Sequence, residues 1–413
     1  MDRGDEKGAT KKVALVCYKI ERGKGSEDGS GYGFASALAK QSRIRITLFT
    51  RRNNIEKLYK DSVFDQVELV PVEVPKYLTW WKRGSRGIIP YYYLWQISAA
   101  REVERLHQVQ KFDVVHQYNF HADWAPHFYK AVGAKIVWGP ICHQPILPLH
   151  YSRGGGIAGI IREVAKHTLK SAFWYLDLNL RRAVARTDVV LYANQDIAPP
   201  FRRYLATGRV QLQTFGGASF DCPPIDTSMS TVFTLLHVGR MVPIKGAKLA
   251  LLAFSDFYRS AGTPPARLIL LGDGPLRENL LATAQRLGIN EAVEFIPWMK
   301  HESVVEVYMQ AHAFLYPSLA NQDTVVAEAL AVGLPILGVS GGGTQVMAGN
   351  AGLYAPRGPS RETRKSFAIS ISQLFNEWSS DPQKFASRTA DAVRRSKKIS
   401  WTATAQSVRA YYD

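Results

Sequence analysis

Cysteine is scarce in this chain of 413 residues. Cys17, Cys142 and Cys222 are odd in number and far apart, and no CxxC or Cys/His cluster accompanies them. That excludes a disulfide framework and a zinc site, and it predicts reduced thiols in a cytosolic setting. No Asp-x-Asp pair stands anywhere in the sequence to hold a divalent ion. Unbroken apolar runs of membrane-spanning length are absent as well. Ala329 to Pro356 carries no charge, but seven glycines and two prolines interrupt it, which excludes a transmembrane helix. The polar opening MDRGDEKGATKK leads straight into a strand and predicts no signal peptide.

Acidic residues are scarce in one half only. Residues 1–215 hold 33 Lys+Arg against 19 Asp+Glu, whereas residues 216–413 hold 19 against 16. The net charge of +17 therefore belongs to the first half and points to an anionic partner there, lipid headgroups or nucleic acid. The length exceeds the roughly 250–300 residues at which a single core stops growing, so two domains are expected.

Gly216 to Thr231 (GGASFDCPPIDTSMST) has no periodicity and reads as the linker. After it, strands and helices alternate regularly. Strands are predicted at Val232–Val238, Arg267–Leu271, Ala292–Ile296 and Ala313–Tyr316, with helices at Ala247–Tyr258, Leu276–Leu287 and Glu302–Ala311 between them. That alternation predicts a doubly wound parallel sheet. Its strand ends carry Gly239-Arg240, Lys245-Gly246 and Gly272-Asp273-Gly274. Two fixed cations at one crevice suit a diphosphate.

Leu315 to Gly343, LYPSLANQDTVVAEALAVGLPILGVSGGG, is the densest stretch. Pro317 ends the strand. Asp323 and Thr324 are placed to cap a helix over Val325–Val332, and Gly333 suits its C′ position. Leu334–Val339 is the next strand. Glu328 stands among apolar neighbours, and a capping box does not explain it: led by Thr324 the box would need its glutamate at Ala327, and led by Asp323 at Val326. A ligand role is the remaining expectation.

In the first half, KVALVCY (Lys12–Tyr18) is an apolar strand. IERGKGSEDGSGYG follows, then a helix over Phe34–Lys40. A strand, a Gly-rich turn and a helix N-terminus form an anion site, with Gly29, Gly31 and Gly33 allowing close backbone approach. The glycine spacing is not a dinucleotide fingerprint, and Thr50, Arg51 and Arg52 follow the next strand (Ile44–Phe49) where a ribose-holding acid would stand, which argues against a nicotinamide-dependent enzyme. Phe112–His116, Lys135–Trp138 and Asp188–Ala193 read as buried parallel strands. His116 then falls at a strand end, where ligand-facing side chains gather, and His121 lies in the loop after it.

Two basic stretches do not read as ordinary core. Lys76–Ile97 interleaves Trp80, Trp81, Tyr91, Tyr92, Tyr93 and Trp95 with Lys82, Arg83 and Arg86. Ile157–Arg186 mixes Ile160, Ile161, Leu169, Phe173 and Leu176 with Arg162, Lys166, Lys170, Arg181 and Arg182. Aromatic and aliphatic residues beside cations suit a membrane interface. Stacking on single-stranded nucleic acid uses the same residue types, but no nucleic-acid-binding motif accompanies them.

The patterns HVGRMVPIKGAKLAL, LILLGDGPLRENL and AFLYPS…VVAEALAVGLPILG resemble the retaining glycosyltransferases of family 4, which have the GT-B fold. GSEDGSGYGFASALA and VVHQ…IVWGPI are similar to a polysaccharide-assembling bacterial branch of that family. The resemblance spans residues 12–413. It implies two Rossmann-like α/β domains facing across a crevice: a polar tail (1–11), an acceptor domain (12–215), the linker (216–231), a nucleotide-sugar domain (232–396) and a last helix (397–413, SWTATAQSVRAYY) returning to the first domain. It further implies Arg240 and Lys245 on the donor diphosphate and Glu328 on the ribose. Gly239, Gly272, Gly274, Trp298, Asp323, Thr324 and Val325 would complete the donor site, and Gly29, Ser30 and Gly31 would close over the phosphates. His116 would join the catalytic group, with Tyr118 and His121 toward the acceptor. No cofactor, metal or nucleic acid is implied.

The sequence departs from the family pattern at two places. An acid usually precedes Glu328 by eight positions, where Ala320 stands, with Asn321 and Asp323 as the nearby substitutes. A second histidine often follows two residues after His116, where Tyr118 stands. The expected activity is metal-independent, retaining transfer of a sugar to a saccharide or lipid-linked saccharide, at the inner face of the cytoplasmic membrane through a basic first domain. The departure at Ala320 keeps open a catalytically weak member acting as a binding partner in a polysaccharide assembly complex.

Overall fold

The structure is a computed structural model and describes residues 9–24, 26–84, 87–130, 132–144, 156–218, 225, 230–262, 264–320, 323–358 and 360–413. Most of the expected linker, Cys222, Asn321, Arg86 and the end of the loop after Trp138 lie outside the described residues, as does the side chain of Arg162. Cys17 and Cys142 are free and buried.

Near-continuous apolar strands must be covered on both faces, and the chain achieves this with two parallel sheets wrapped in helices. The first contains β1 (Lys11–Cys17), β2 (Ile44–Thr50), β3 (Glu68–Pro71), β4 (Val114–Asn119), β5 (Lys135–Ile141), β6 (Val189–Tyr192) and β7 (Val210–Leu212), in the order β3-β2-β1-β4-β5-β6-β7. The second contains β8 (Phe233–Val238), β9 (Ala266–Leu271), β10 (Val293–Ile296), β11 (Ala313–Leu315), β12 (Ile336–Val339) and β13 (Gly352–Ala355), in the order β10-β9-β8-β11-β12-β13. All pairings are parallel. Each sheet reverses its winding beside its first strand, between β1 and β4 and between β8 and β11. Crevices open at the carboxyl ends of strands at such points.

The C-terminal helix Trp401–Arg409 crosses back onto the first domain, as expected. Ser407 Oγ donates to Gln213 at 3.0 Å, Thr404 Oγ1 to the Gly216 carbonyl at 3.2 Å, and the Tyr412 hydroxyl reaches His116 Nδ1 at 2.7 Å.

Four expectations need correction. The first helix runs over Ser26–Ala39, so Gly29, Ser30 and Gly31 lie within it and not in a phosphate loop. Its glycines serve packing: a Cβ on Gly29 would strike the Lys24 carbonyl, and one on Gly33 would enter the Trp401 indole. Second, β4 continues to Asn119 because Cys17 pairs with Asn119 across a register irregularity, which leaves His116 inside the strand. Third, β3, β7 and β13 were not expected. All three are short edge strands with mixed composition. Fourth, the aromatic stretch is only partly surface. Tyr92 and Trp95, in the helix Ile88–Gln110, are core residues, and Trp95 Nε1 donates to the Val72 carbonyl at 2.9 Å. Trp80 is exposed.

Candidate functional site

The loop after β8 begins with Gly239 and Arg240 and closes in a short turn, Pro243–Lys245, before the helix Ala247–Ser260. Gly246 has φ +74°, and a Cβ there would strike the Pro317 carbonyl, so only glycine lets this loop lie against the β11 loop. That contact brings Lys245 to Asp323. Lys245 Nζ lies 2.5 Å from Asp323 Oδ1, and the Tyr316 hydroxyl donates to Oδ2 at 2.9 Å. Asp323 holds the N-cap position of the helix Thr324–Ala331, but its side chain makes no capping bond and is spent on Lys245 and Tyr316. Gly333 follows the helix with φ +92°, as its expected C′ role requires.

Glu328 is 2% exposed. Its Oε2 accepts from the Tyr308 hydroxyl at 3.2 Å, and its Oε1 lies 3.4 Å from His301 Nε2. A carboxylate enclosed in this way is oriented by fixed neighbours and faces a cleft of about 1340 Å³ along the ends of β8, β9 and β11. Every second-domain residue named from the sequence lines that cleft: Gly239, Arg240, Lys245, Gly272, Gly274, Trp298, Asp323, Thr324, Val325 and Glu328. Trp298 offers an indole that is 73% exposed. His301, Lys300 and Lys24 also line it and were not foreseen.

The cleft continues, through Arg240, Lys245, Asp323 and Thr324, into a cavity of about 340 Å³ walled on the other side by the first domain. Ser30, His121, Lys19 and Glu27 come from that side, and Ala320 from the second domain. The region joining the two domains is therefore lined by cations at one end and by a carboxylate and an imidazole at the other.

The first-domain residues named from the sequence divide. His121 lines the cavity, and its Nε2 is enclosed without a hydrogen-bond partner. Burial, reinforced by the Lys19 charge, lowers its pKa to about 4 and keeps the ring neutral at physiological pH. His116 is fully buried and stands clear of the cavity walls. Its Nε2 lies 2.7 Å from the Gly139 carbonyl, which can only accept, so Nε2 carries the proton and Nδ1 accepts from Tyr412. Both nitrogens are consumed in joining β4, β5 and the C-terminal return, and burial lowers the ring's pKa to about 4. Tyr118 is likewise internal, and it exchanges hydrogen bonds with Ser30 through its hydroxyl at 2.8 Å and 3.2 Å. Gly29 and Gly31 do not line the cavity.

On the first-domain side, Glu27 was also not foreseen. It sits in the first turn of the helix Ser26–Ala39, 4.0 Å from Lys19 Nζ, and its Oε1 accepts from the His121 amide at 3.3 Å. Burial raises its pKa to about 7 against the opposing pull of Lys19 and the His121 amide. The available signal was an acid directly after a serine in a glycine-rich run, and reading that run as a turn concealed it.

Residues 232–377 match the family model described as glycosyl transferases group 1. Over 396 residues the chain is 26% identical to a D-inositol 3-phosphate glycosyltransferase of Thermobispora bispora, covering 89% of this chain and 85% of that protein. Among solved structures it resembles sucrose-phosphate synthase of Thermosynechococcus elongatus, with a TM-score of 0.61, 16% identity and 97% and 98% of the two chains covered. It also resembles Anabaena HepE in complex with UDP-glucose, with a TM-score of 0.54, 16% identity and 97% and 98% coverage. Two doubly wound sheets facing across a lined crevice and the returning last helix are the GT-B fold of these solved structures, and the second domain carries the pattern of the glycosyl transferases group 1.

Proposed function

We propose that the protein transfers a sugar from a nucleotide-sugar to a lipid-linked saccharide in polysaccharide or glycolipid assembly, with retention at the anomeric carbon and no metal. The observation that carries this reading is the convergence of Arg240, Lys245, Asp323 and Glu328 on one cleft that opens toward the first domain. Arg240 and Lys245 would hold the diphosphate, Glu328 the ribose hydroxyls and Trp298 the base. Fixed cations in an enclosed site stabilise a departing diphosphate by several kcal/mol, typically about 3–4 for one such group. The acceptor hydroxyl attacks from the face the diphosphate leaves and gives its proton to the departing phosphate oxygen. Asp323, which lines both parts of the crevice, stands in for the acid that Ala320 lacks and orients the transferred sugar. In this reading the histidine that meets it is His121, which lines the cavity, and not the internal His116.

Peripheral membrane contact through the first domain belongs to the same reading. Among the described residues no helix is long and apolar enough to cross a membrane. The helix Gly156–Leu176 nonetheless exposes Ile157, Ile161 and Val164 along one face and Leu169 one turn from Lys166, between 53% and 78% each. Apolar side chains at helical spacing next to a cation suit the headgroup boundary.

The deciding experiment is thermal stability against UDP-, GDP- and ADP-sugars with and without magnesium, since a ligand bound only by the fold raises the melting temperature by mass action. UDP-glucose is the first probe, because a structural neighbour was solved with it. One donor shifting the curve equally without metal supports the reading, and a flat panel overturns it. Sedimentation with anionic vesicles at low salt tests the membrane part, and a protein left wholly in the supernatant would refute it.

A further inference from the structure

Both carboxylate oxygens of Glu328 are met by side chains of one helix, His301–Tyr308. His301, Val304 and Tyr308 are spaced i, i+3, i+7 and so share a face of that helix. Val304 and Tyr308 are buried in the same core cluster as Val326, Ala327 and Leu330 of the helix Thr324–Ala331, which bears Glu328. His301 begins that face, lines the cleft and keeps 22% of its side chain exposed. Its Nε2 lies 3.4 Å from Glu328 Oε1. The Tyr308 hydroxyl lies 3.2 Å from Oε2 and 3.2 Å from the Val325 carbonyl. A ring nitrogen turned toward a carboxylate carries a proton in the neutral ring as in the charged one, so His301 and Tyr308 both act as donors.

Two donors matter because the last torsion of a glutamate is soft. Its wells are broad, so a carboxylate pinned at one oxygen still pivots about that contact. Tyr308 fixes Oε2 alone. His301, on Oε1, removes the remaining rotation and sets the plane of the carboxylate in the cleft. A carboxylate has about four acceptor positions, enough for these two donors and for two hydroxyls of a ligand. Neighbouring hydroxyls are both met only when both oxygens are presented to them. Trp298 stands three positions before His301 on the connection from β10 and lines the same cleft. One short segment therefore carries the proposed base contact and the group that orients Glu328.

We infer that His301 is a positioning residue that makes the cleft read the ribose diol. It turns the Glu328 carboxylate so that each oxygen accepts one hydroxyl, and the protein thereby selects ribonucleoside over 2′-deoxyribonucleoside diphosphates. His301 acts through Glu328 and takes no part in the chemical step. The inference rests on the cleft being the donor site, as proposed above.

Calorimetric titration of the full chain compares UDP, GDP and ADP, each with its 2′-deoxy counterpart, and the pair that binds the wild type is carried to the variants. The wild type should prefer the ribonucleotide by at least about tenfold, as a hydrogen bond to a charged group implies. His301→Ala should weaken the ribonucleotide by about tenfold, the scale of ordering one flexible side chain on binding, and the deoxynucleotide by about threefold or less. His301→Gln, which keeps an N–H near the place of Nε2, should restore most of the preference. In a Glu328→Gln background His301→Ala should cost less than about twofold, because the carboxylate it orients is gone. The melting temperature of each variant checks that it folds. A wild type without preference would show that the diol is not read. Equal loss of both nucleotides in His301→Ala would make the histidine a purely structural residue. An unchanged preference in that variant, or an undiminished loss in the Glu328→Gln background, would separate its effect from Glu328. Any of these overturns the inference and leaves the donor reading standing, whereas a wild-type protein that binds none of the six nucleotides overturns the donor reading itself.

Discussion

Lys245→Ala tests the proposed donor site most directly, because the structure shows the partner this lysine already holds. Its Nζ lies 2.5 Å from Asp323, with side-chain exposures of 15% and 21%, so its charge is already balanced in the free protein. A diphosphate entering the cleft must share Lys245 with Asp323. At about 4 Å and an effective dielectric of about 20, a unit charge pair is worth about 4 kcal/mol. Part of that is offset by the nearby acid, and removing one partner of a desolvated charge pair typically costs about 2–5 kcal/mol of affinity, roughly thirtyfold to several thousandfold. Removing the lysine also leaves Asp323 uncompensated and facing the phosphates, which adds repulsion. Lys245→Ala is therefore expected to weaken donor affinity by about a thousandfold. Adding Asp323→Asn should recover about tenfold of that loss by removing the stranded charge, since like charges at such range cost about 1–2 kcal/mol after screening. Calorimetric titration with the donor that stabilises the wild type reads both values, and the melting temperature of each variant checks that it folds. Affinity within threefold of wild type in Lys245→Ala, or a double variant no better than the single one, would refute the reasoning.

Three further outcomes are expected. Glu328→Gln keeps the shape but loses the charge that would accept ribose hydroxyls, so donor affinity should fall about tenfold to a hundredfold, matching the 1.5–3 kcal/mol of a hydrogen bond to a charged group; an unchanged titration would remove Glu328 from the site. Gly33→Ala drives a methyl into the Trp401 indole. Such overpacking costs about 1–3 kcal/mol, so the melting temperature should drop by several degrees, and Trp401→Leu in the same background should restore part of it. Stability should also fall on acidification from pH 7 to pH 5. Burial lowers His116, His121, His237 and His312 to about 4 and His127 to about 3. Below about pH 6.5 the unfolded chain therefore binds protons that the fold refuses, at up to about 1.4 kcal/mol per pH unit for each ring. Glu27, raised to about 7, acts in the opposite direction, and its contribution is lost as pH rises from 4.5 toward 7. Five rings outweigh one carboxyl, and a flat melting profile between pH 7 and pH 5 would contradict the assigned burial.

The second domain was legible almost throughout because its signals are local. Each strand is a short apolar run, each strand end carries its own glycines, and Arg240 and Lys245 sit on loops whose position follows from the alternation alone. Glu328 could be singled out because a capping box was excluded by counting positions. The edge strands β3, β7 and β13 were not legible. Glu68–Pro71, Val210–Leu212 and Gly352–Ala355 are four residues or fewer and gain their strand character from the neighbour they pair with, which no local pattern records. Asp323 was read from the sequence as a helix cap, a local role its side chain does not take, whereas its partners Lys245 and Tyr316 meet it only through the fold.

The first domain misled because its glycines carry two meanings that sequence cannot separate. A run such as GSEDGSGYG is a poor helix on propensity, with each glycine costing about 1 kcal/mol relative to alanine, so a turn was the economical reading. Tertiary packing overrides that preference. The helix Ser26–Ala39 forms because Gly29 lets it approach the Lys24 carbonyl and Gly33 makes room for Trp401, a residue 368 positions away in the chain. Once the helix begins at Ser26, Glu27 lies in its first turn and meets the His121 amide, and β4 extends far enough to draw His116 inward and leave His121 at its end. The choice of which histidine faces the crevice is thus made by the register of β1 against β4 and by the hydroxyl of Tyr412 that ties His116 down. Tyr412→Phe separates the two histidines experimentally. It removes the hydrogen bond at His116 without touching the crevice, so it should lower stability by about 1–3 kcal/mol, as expected for a buried acceptor left unsatisfied, while His121→Ala should lower turnover with little change in melting temperature. The reverse pattern, with turnover following His116 and indifferent to His121, would mean that the crevice has been assigned the wrong histidine.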